Sequence, residues 1–214
     1  MRSIMLLNAK GGCGKSTLAS NLASHYATEG KAVALVDFDP QKSGLEWLSV
    51  RSEDDWEILG IDGTEQGMRI PRNIDVAIYD VPAGISGKNL TAMVKRADTI
   101  LIPVLPSPID IRAASHFIRD LLLVGKVSRK QTKLAVIANR VRENTLVYHK
   151  LEKFLKSLKI PFIATLRDTQ NYIHAEEQGL GIFELTPSLV AQDIEQWQPL
   201  LKWLRNKRVH GAIK

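Results

Sequence analysis

Residues 3–30, SIMLLNAKGGCGKSTLASNLASHYATEG, place an apolar run, a cluster of three glycines and a helical pattern in direct succession. Residues 3–9 suit a strand buried on both faces, and 17–30 carry a helical pattern with Gly30 as its stop. Gly11, Gly12 and Gly14 allow the intervening turn to aim backbone N–H groups inward, because no Cβ stands in the way. A buried strand that feeds a helix needs further strands beside it. This unit therefore commits the chain to a layered α/β fold.

The rest of the chain supplies those strands. Apolar runs recur as AVALVDF (32–38), WEILGI (56–61), DVAIYDV (75–81), TILIPVL (99–105), KLAVIAN (133–139) and PFIAT (161–165). Between and after them, helices are predicted over 44–50, 89–97, 111–124, 146–158, 171–178 and 188–207. The alternation predicts one domain over residues 1–214: an α/β layer sandwich with a mostly parallel, twisted sheet flanked by helices. A chain of 214 residues with 44% hydrophobic content fills one such core, and two domains would be cramped. Residues 62–73 read as an irregular surface segment, and there is no repeat or low-complexity tract.

Several classes are disfavoured. No apolar run approaches the ~20 residues of a membrane span. The first residues run straight into the glycine loop without a signal-peptide cleavage pattern. The single cysteine, Cys13, permits neither an internal disulfide nor a cysteine-built metal cage. A cytoplasmic protein is expected.

Gly14-Lys15-Ser16 ends the loop in the manner of a phosphate cradle. In that geometry the helix N-terminus adds a positive field, Lys15 reaches the β- and γ-phosphates, and the Ser16 hydroxyl ligates Mg²⁺. Two features depart from the ordinary pattern: Ala9 stands where a glycine belongs, and a second lysine, Lys10, precedes the glycines. A magnesium site of this kind also needs a carboxylate at another strand's end. Asp80, followed by Pro82 and Gly84, fits that place. Asp37 and Asp39 lie on one side of a third strand's end, so one of them can orient or polarise an attacking water, while Asp37 alternatively serves as a structural hydrogen-bond partner.

Lys10-Gly-Gly-Cys-Gly-Lys-Ser16, with Val36-Asp-Phe-Asp-Pro-Gln41 and Asp80-Val-Pro-Ala-Gly84, resembles the deviant Walker-A ATPases of the ParA/MinD superfamily. LIPVLPSPIDIRAA (101–114) and LRDTQNYIHAEEQGLGIFEL (166–185) resemble the small ParA branch. The resemblance implies ATP and Mg²⁺ as cofactors, held by Gly11, Gly12, Cys13, Gly14, Lys15, Ser16 and Thr17. It implies that Lys10 reaches across an ATP-dependent homodimer to the other copy's phosphates. It further implies that Asp39 positions the hydrolytic water with Asp37 beside it, that Asp80 supports the metal with Ser16, and that Asn139 and Arg140 flank the adenine.

The formal charge of +6 is uneven: residues 112–159 hold twelve Lys and Arg against three Asp and Glu, a net +9. Such a segment suits phosphate neutralisation on DNA, or simply solvated helix faces. Candidate DNA contacts are Arg140, Arg142, Lys150, Lys153, Lys156, Arg167, Arg205 and Arg208. With no helix-turn-helix ahead of the loop, non-specific binding is expected, giving a nucleoid-associated positioning ATPase stimulated by a ParB-like or small adaptor protein. A MinD-like alternative places Ile194, Trp197, Leu201 and Leu204 of the last helix on a membrane. The same stripe also suits docking on a core, and Leu200 and Trp203 broaden it in that direction. A metabolic enzyme on the same scaffold is a third class: one cysteine cannot hold a shared iron–sulfur cluster, and Tyr26, Tyr79, Tyr148 and Tyr172 form no tail cluster.

Overall fold

A computed structural model describes residues 1–124, 127 and 131–206. Its strands are β1 (Arg2–Leu6), β2 (Val33–Asp37), β3 (Leu59–Asp62), β4 (Val76–Asp80), β5 (Thr99–Val104), β6 (Lys133–Val141) and β7 (Phe162–Arg167). Its helices are α1 (Lys15–Thr28), α2 (Ser43–Val50), α3 (Gly87–Val94), α4 (Pro108–Leu122), α5 (Leu146–Ser157), α6 (Asn171–Glu177) and α7 (Pro187–Arg205), with a 3-10 turn at Ile182–Glu184. The strands form one seven-stranded sheet in the order β3-β2-β4-β1-β5-β6-β7, parallel at β1–β4, β2–β3, β2–β4, β5–β6 and β6–β7. All seven expected strands are present. Two compact units divide the chain, and each is described in turn.

The first unit comprises Met1–Leu6, Gly14–Pro82 and Thr169–Ile194. Ile4, Leu6, Leu35, Ile78 and their strand neighbours are fully buried, which is why β1, β2 and β4 are nearly unbroken apolar runs. Register brings Leu6 and Asp37 level with Asp80, and Asp62 level with Asp37, so three carboxylates share the carboxyl end of this part of the sheet. The third strand is shorter than WEILGI suggests. It pairs only along Ala34–Asp37 of β2, leaving Trp56 outside the strand and 54% exposed. The Arg51 guanidinium forks onto Glu184 at 2.7 and 3.0 Å and also donates to the Gly179 and Trp56 carbonyls, fastening α2 to the segment beyond α6.

The second unit comprises Leu7–Cys13, Ala83–Asp168 and Glu195–Lys214. The run expected as strand through Ala9 stops at Leu6. Asn8 ends it, donating through its amide to the Pro103 carbonyl at 2.7 Å and turning the chain into the loop. The fourth helix starts at Pro108, earlier than 111, because the Ser107 hydroxyl accepts from the Asp110 N–H and proline suits the first helical position. Thr145 caps α5 in the same way by accepting from the Tyr148 N–H. In α7, Trp197, Leu201 and Leu204 of the stripe weighed for a membrane are buried, as is Leu200, whereas Ile194 and Trp203 are half-buried, so most of that stripe is spent on packing. Lys133 fixes the helix end, donating to the carbonyls of Trp203 at 2.8 Å and Asn206 at 2.6 Å. Among the described residues, no helix is long and apolar enough to cross a membrane.

Candidate nucleotide and magnesium site

The phosphate loop is continuous in sequence, but its two halves belong to different units. In the first unit, α1 begins at Lys15, two residues before the expected Thr17. Gly14 precedes it at φ +90°, a conformation costly for any residue with a Cβ. The first turn has no side-chain cap and no acidic residue. Its N–H groups and the positive helix end therefore suit an anion. Lys15 is buried there, with Ser16 and Thr17 in the same turn.

Asp80 is the notable group of this half. It is 1% exposed, and neither carboxylate oxygen has a hydrogen-bond partner of good geometry. Burial pushes its pKa up to about 6; the Ser16 hydroxyl and the Lys15 ammonium pull downward, while Asp37 and Asp39 push further up. A buried, unpartnered carboxylate beside a Ser hydroxyl is a hard-oxygen donor pair, which suits Mg²⁺. The two residues expected to serve the metal are thus brought together.

Asp37 is fully buried, and its carboxylate is committed to three backbone donors: Asp39 N–H at 2.9 Å, Gly44 N–H at 2.8 Å and Leu45 N–H at 3.3 Å. Burial still holds its pKa above the ordinary value, against those three bonds. Gly44 is needed for the approach, since a Cβ there would stand 3.0 Å from Asp37 Oδ2 and 3.3 Å from Leu35. Asp37 therefore fixes the backbone under Asp39. Asp39 itself is half-buried and accepts the Gln41 N–H at 3.0 Å.

In the second unit, Lys10 stands at the front of the loop with its side chain 40% exposed. Its ammonium lies 3.7 Å from Asp110 Oδ1 in the first turn of α4. Beyond Lys10, Gly11 is exposed, and a Cβ on it would meet only Ala83 at 4.0 Å, so packing does not explain the glycine; Gly12 has φ +73°. Cys13 is buried, and its S–H donates to the Lys10 carbonyl at 3.4 Å. Asn139 is also buried, donating from its amide to the Cys13 carbonyl at 2.9 Å. One N–H and the amide oxygen are left over from that bond. Asn139 thus ties the loop in place, a role the sequence alone does not distinguish from adenine contact. Arg140 follows in the left-handed region at φ +52° and is held, with Arg142, by the single carboxylate of Asp168.

The basic candidates are scattered. Lys150 and Lys153 are exposed on α5, Lys156 pairs with Glu152 at 2.8 Å, and Arg167 is half-buried with its backbone N–H donating to Gln196. Arg205 is exposed at the end of α7, and Arg208 lies outside the described residues, as does the end of the helix expected to reach 207. Sequence reasoning missed Asp110. The S-x-x-D spacing from Ser107 announces a helix cap, but the approach of Lys10 exists only in the tertiary structure.

Residues 4–182 match the model of the CobQ/CobB/MinD/ParA nucleotide binding domain. The chain belongs to this family. It is 28% identical over 190 residues to the maintenance of carboxysome distribution protein A of Halothiobacillus neapolitanus, covering 86% of this chain and 87% of that protein. Among solved structures it resembles the MinC:MinD cell division protein complex of Aquifex aeolicus, with TM-score 0.72, 21% identity, and coverage of 100% and 99% of the two chains. It also resembles a substituted McdA in complex with ATP from Cyanothece, with TM-score 0.69, 16% identity, and coverage of 100% and 99%. At those identities the two structures speak for the fold. With the family shown, the uncapped helix end and the buried carboxylate lie within a nucleotide binding domain.

Proposed function

We propose that the chain is a ParA-type positioning ATPase that dimerises on ATP, binds DNA without sequence preference and moves a large cargo. The observation carrying this is the loop itself. Lys15 is buried at the start of α1, whereas Lys10 is a second, accessible lysine at the loop's front. Two facing nucleotides concentrate negative charge, and a lysine from each copy offsets the other's phosphates. The Asp110 carboxylate lies 3.7 Å from the Lys10 ammonium, and the phosphates of the second copy compete with it for that ammonium. ATP then acts as the glue of the dimer, and its hydrolysis releases the copies.

Mg²⁺ would be held by Ser16 and Asp80 and, when bound, would supply neutralisation of phosphate charge. The remaining work falls to the chain. Lys15 and the α1 N–H groups orient the phosphates. Asp39 holds the attacking water, and Asp37 is its positioning residue, acting through the backbone it anchors. Asn139 and Arg140 flank the adenine.

For DNA, the exposed lysines of α5 with Arg140, Arg142, Arg167 and Arg205 are the candidate contacts, with Arg208 a candidate from the sequence alone, and nucleoid association follows from such binding. Cargo choice is favoured toward a large protein assembly by the nearly full-length likeness to a carboxysome distribution protein. In this reading, a ParB-like or small adaptor protein stimulates hydrolysis. The MinD-like membrane reading is weakened by the burial of Trp197, Leu201 and Leu204. Pelleting with plasmid DNA and with anionic liposomes, each with and without ATP, separates the two. ATP-dependent retention on DNA alone supports the proposal, and retention on liposomes alone overturns it.

A further inference from the structure

The sheet of the first unit ends at β3, and among the described residues nothing pairs with its outer edge. Alternate residues of a strand turn their backbone groups to the same side. The Gly63 N–H donates to the Asp37 carbonyl of β2 at 2.7 Å, so Leu59 and Ile61 face β2 as well. The N–H and C=O groups of Gly60 and Asp62 are left facing outward. β3 is also the least buried strand of this unit: Gly60 is exposed, Leu59 is 37% exposed, and the Trp56 side chain just before it is 54% exposed.

Beside this edge, the end of α2 and residues 51–58 enclose a pocket of about 230 Å³. Leu48 and Ile58 supply apolar lining, Trp56 an aromatic surface, and Glu53, Asp55 and Glu57 the charge. The segment is held in shape by Arg51, which donates to the Trp56 carbonyl at 2.8 Å, and by the Ser52 N–H, which donates to the Asp55 carboxylate at 2.8 Å. Arg51 lines the pocket too, but its guanidinium is forked onto Glu184 and balances that carboxylate instead. Asp62 is likewise balanced, by Lys42. Glu53, Asp54, Asp55 and Glu57 have no ion-pair partner among the described residues, so this corner of the unit carries four uncompensated negative charges.

The pocket is smaller than the roughly 300–1,000 Å³ of small-molecule sites and has room for one long side chain. An indole beside carboxylates suits a guanidinium or an ammonium, because cation–π attraction and ion pairing act on the same group. The four carboxylates repel nucleic acid and anionic lipid, and they set two copies of this edge against each other. We propose that the β3 edge docks an extended basic segment of a partner protein. The segment pairs as an added strand with the outward backbone groups of Gly60 and Asp62, and seats one arginine or lysine side chain against Trp56. The docking needs no nucleotide, so a failure of the ATP-dimer reading leaves it standing.

The test uses the full chain and a labelled peptide of about ten residues in which valine and arginine alternate, with binding read by fluorescence anisotropy without nucleotide. The chain as a whole is net +6, so its overall charge does not draw in such a peptide. Trp56→Ala and the double variant Glu53→Lys/Glu57→Lys should each weaken binding by about tenfold or more. All three positions are exposed, and circular dichroism should show both variants folded. A peptide with glutamates in place of the arginines should not bind. N-methylation of one alternating set of peptide N–H groups should abolish binding, and methylation of the other set should spare it, since only one set faces β3. Absent binding, equal binding by parent and variants, a preference for the glutamate peptide, or indifference to both methylations overturns the proposal. So does the finding that the variants alter self-association of the chain while peptide binding stays unchanged.

Discussion

Asp80→Asn isolates the cost of keeping a magnesium carboxylate ready. The buried side chain has two oxygens without good hydrogen-bond partners, and its pKa is pushed from 3.8 to about 6. A shift of about two units corresponds to roughly 3 kcal/mol against the ionised form. A raised acid pKa favours the folded state below the unfolded value of 3.8, and that advantage is lost as pH rises through about 6. The full penalty is therefore present at pH 7.5 in the metal-free protein. The neutral amide removes it, but leaves polar atoms of its own to satisfy and forfeits the attraction of Lys15. We therefore expect a net gain of about 1–2 kcal/mol at pH 7.5 and a much smaller one at pH 5. Urea denaturation in EDTA at the two pH values measures this, and calorimetric titration with Mg²⁺ and a non-hydrolysable ATP analogue should show metal-dependent affinity lost. If Asp80→Asn is less stable than the parent at pH 7.5 without metal, the carboxylate is structurally satisfied and the metal assignment loses its physical basis.

Glu184→Gln should cost about 3–5 kcal/mol in urea denaturation, because it leaves the Arg51 guanidinium buried without its carboxylate. Burial alone would raise the Glu184 pKa, but Arg51 and the Gly181 N–H outweigh it and hold it below 4.5. The stabilisation is thus present above that value and fades as pH falls below it, and the variant should lack this acid-dependent loss. Asp39→Ala should still bind ATP, dimerise and bind DNA while hydrolysing at least tenfold more slowly; loss of ATP binding would remove Asp39 from the water-positioning role. Affinity for plasmid DNA should fall at least tenfold between about 50 and 200 mM salt, and a flat response would dismiss the basic surface.

Much of the fold was legible because buried parallel strands such as β1, β2, β4 and β5 leave long apolar runs, and the less buried β3 and β7 still carry short ones. Their ends were less so. Asn8 stops β1 by a side-chain bond to Pro103, and β3 is only as long as its pairing with β2 allows. At the site, the glycine loop and Asp80 could be read from spacing because strand register puts acidic strand ends level. The environment of each group could not. That Asp37 is bound up in three backbone N–H groups, that Asp168 holds both Arg140 and Arg142, and that Asp110 meets Lys10 are all contacts between segments distant in sequence. The last helix is similar: its apolar stripe was visible, but only packing showed that Trp197 and Leu204 face inward.

The claim that most needs testing is that Lys10 serves the second copy's nucleotide while Lys15 serves its own. Lys10→Ala, followed by light scattering and by nucleotide binding on the same sample, separates the two roles. We expect ATP binding to remain within about threefold of the parent while the ATP-dependent dimer disappears. A variant that still dimerises with ATP, or one that fails to bind ATP as a monomer, would contradict the cross-copy role of Lys10.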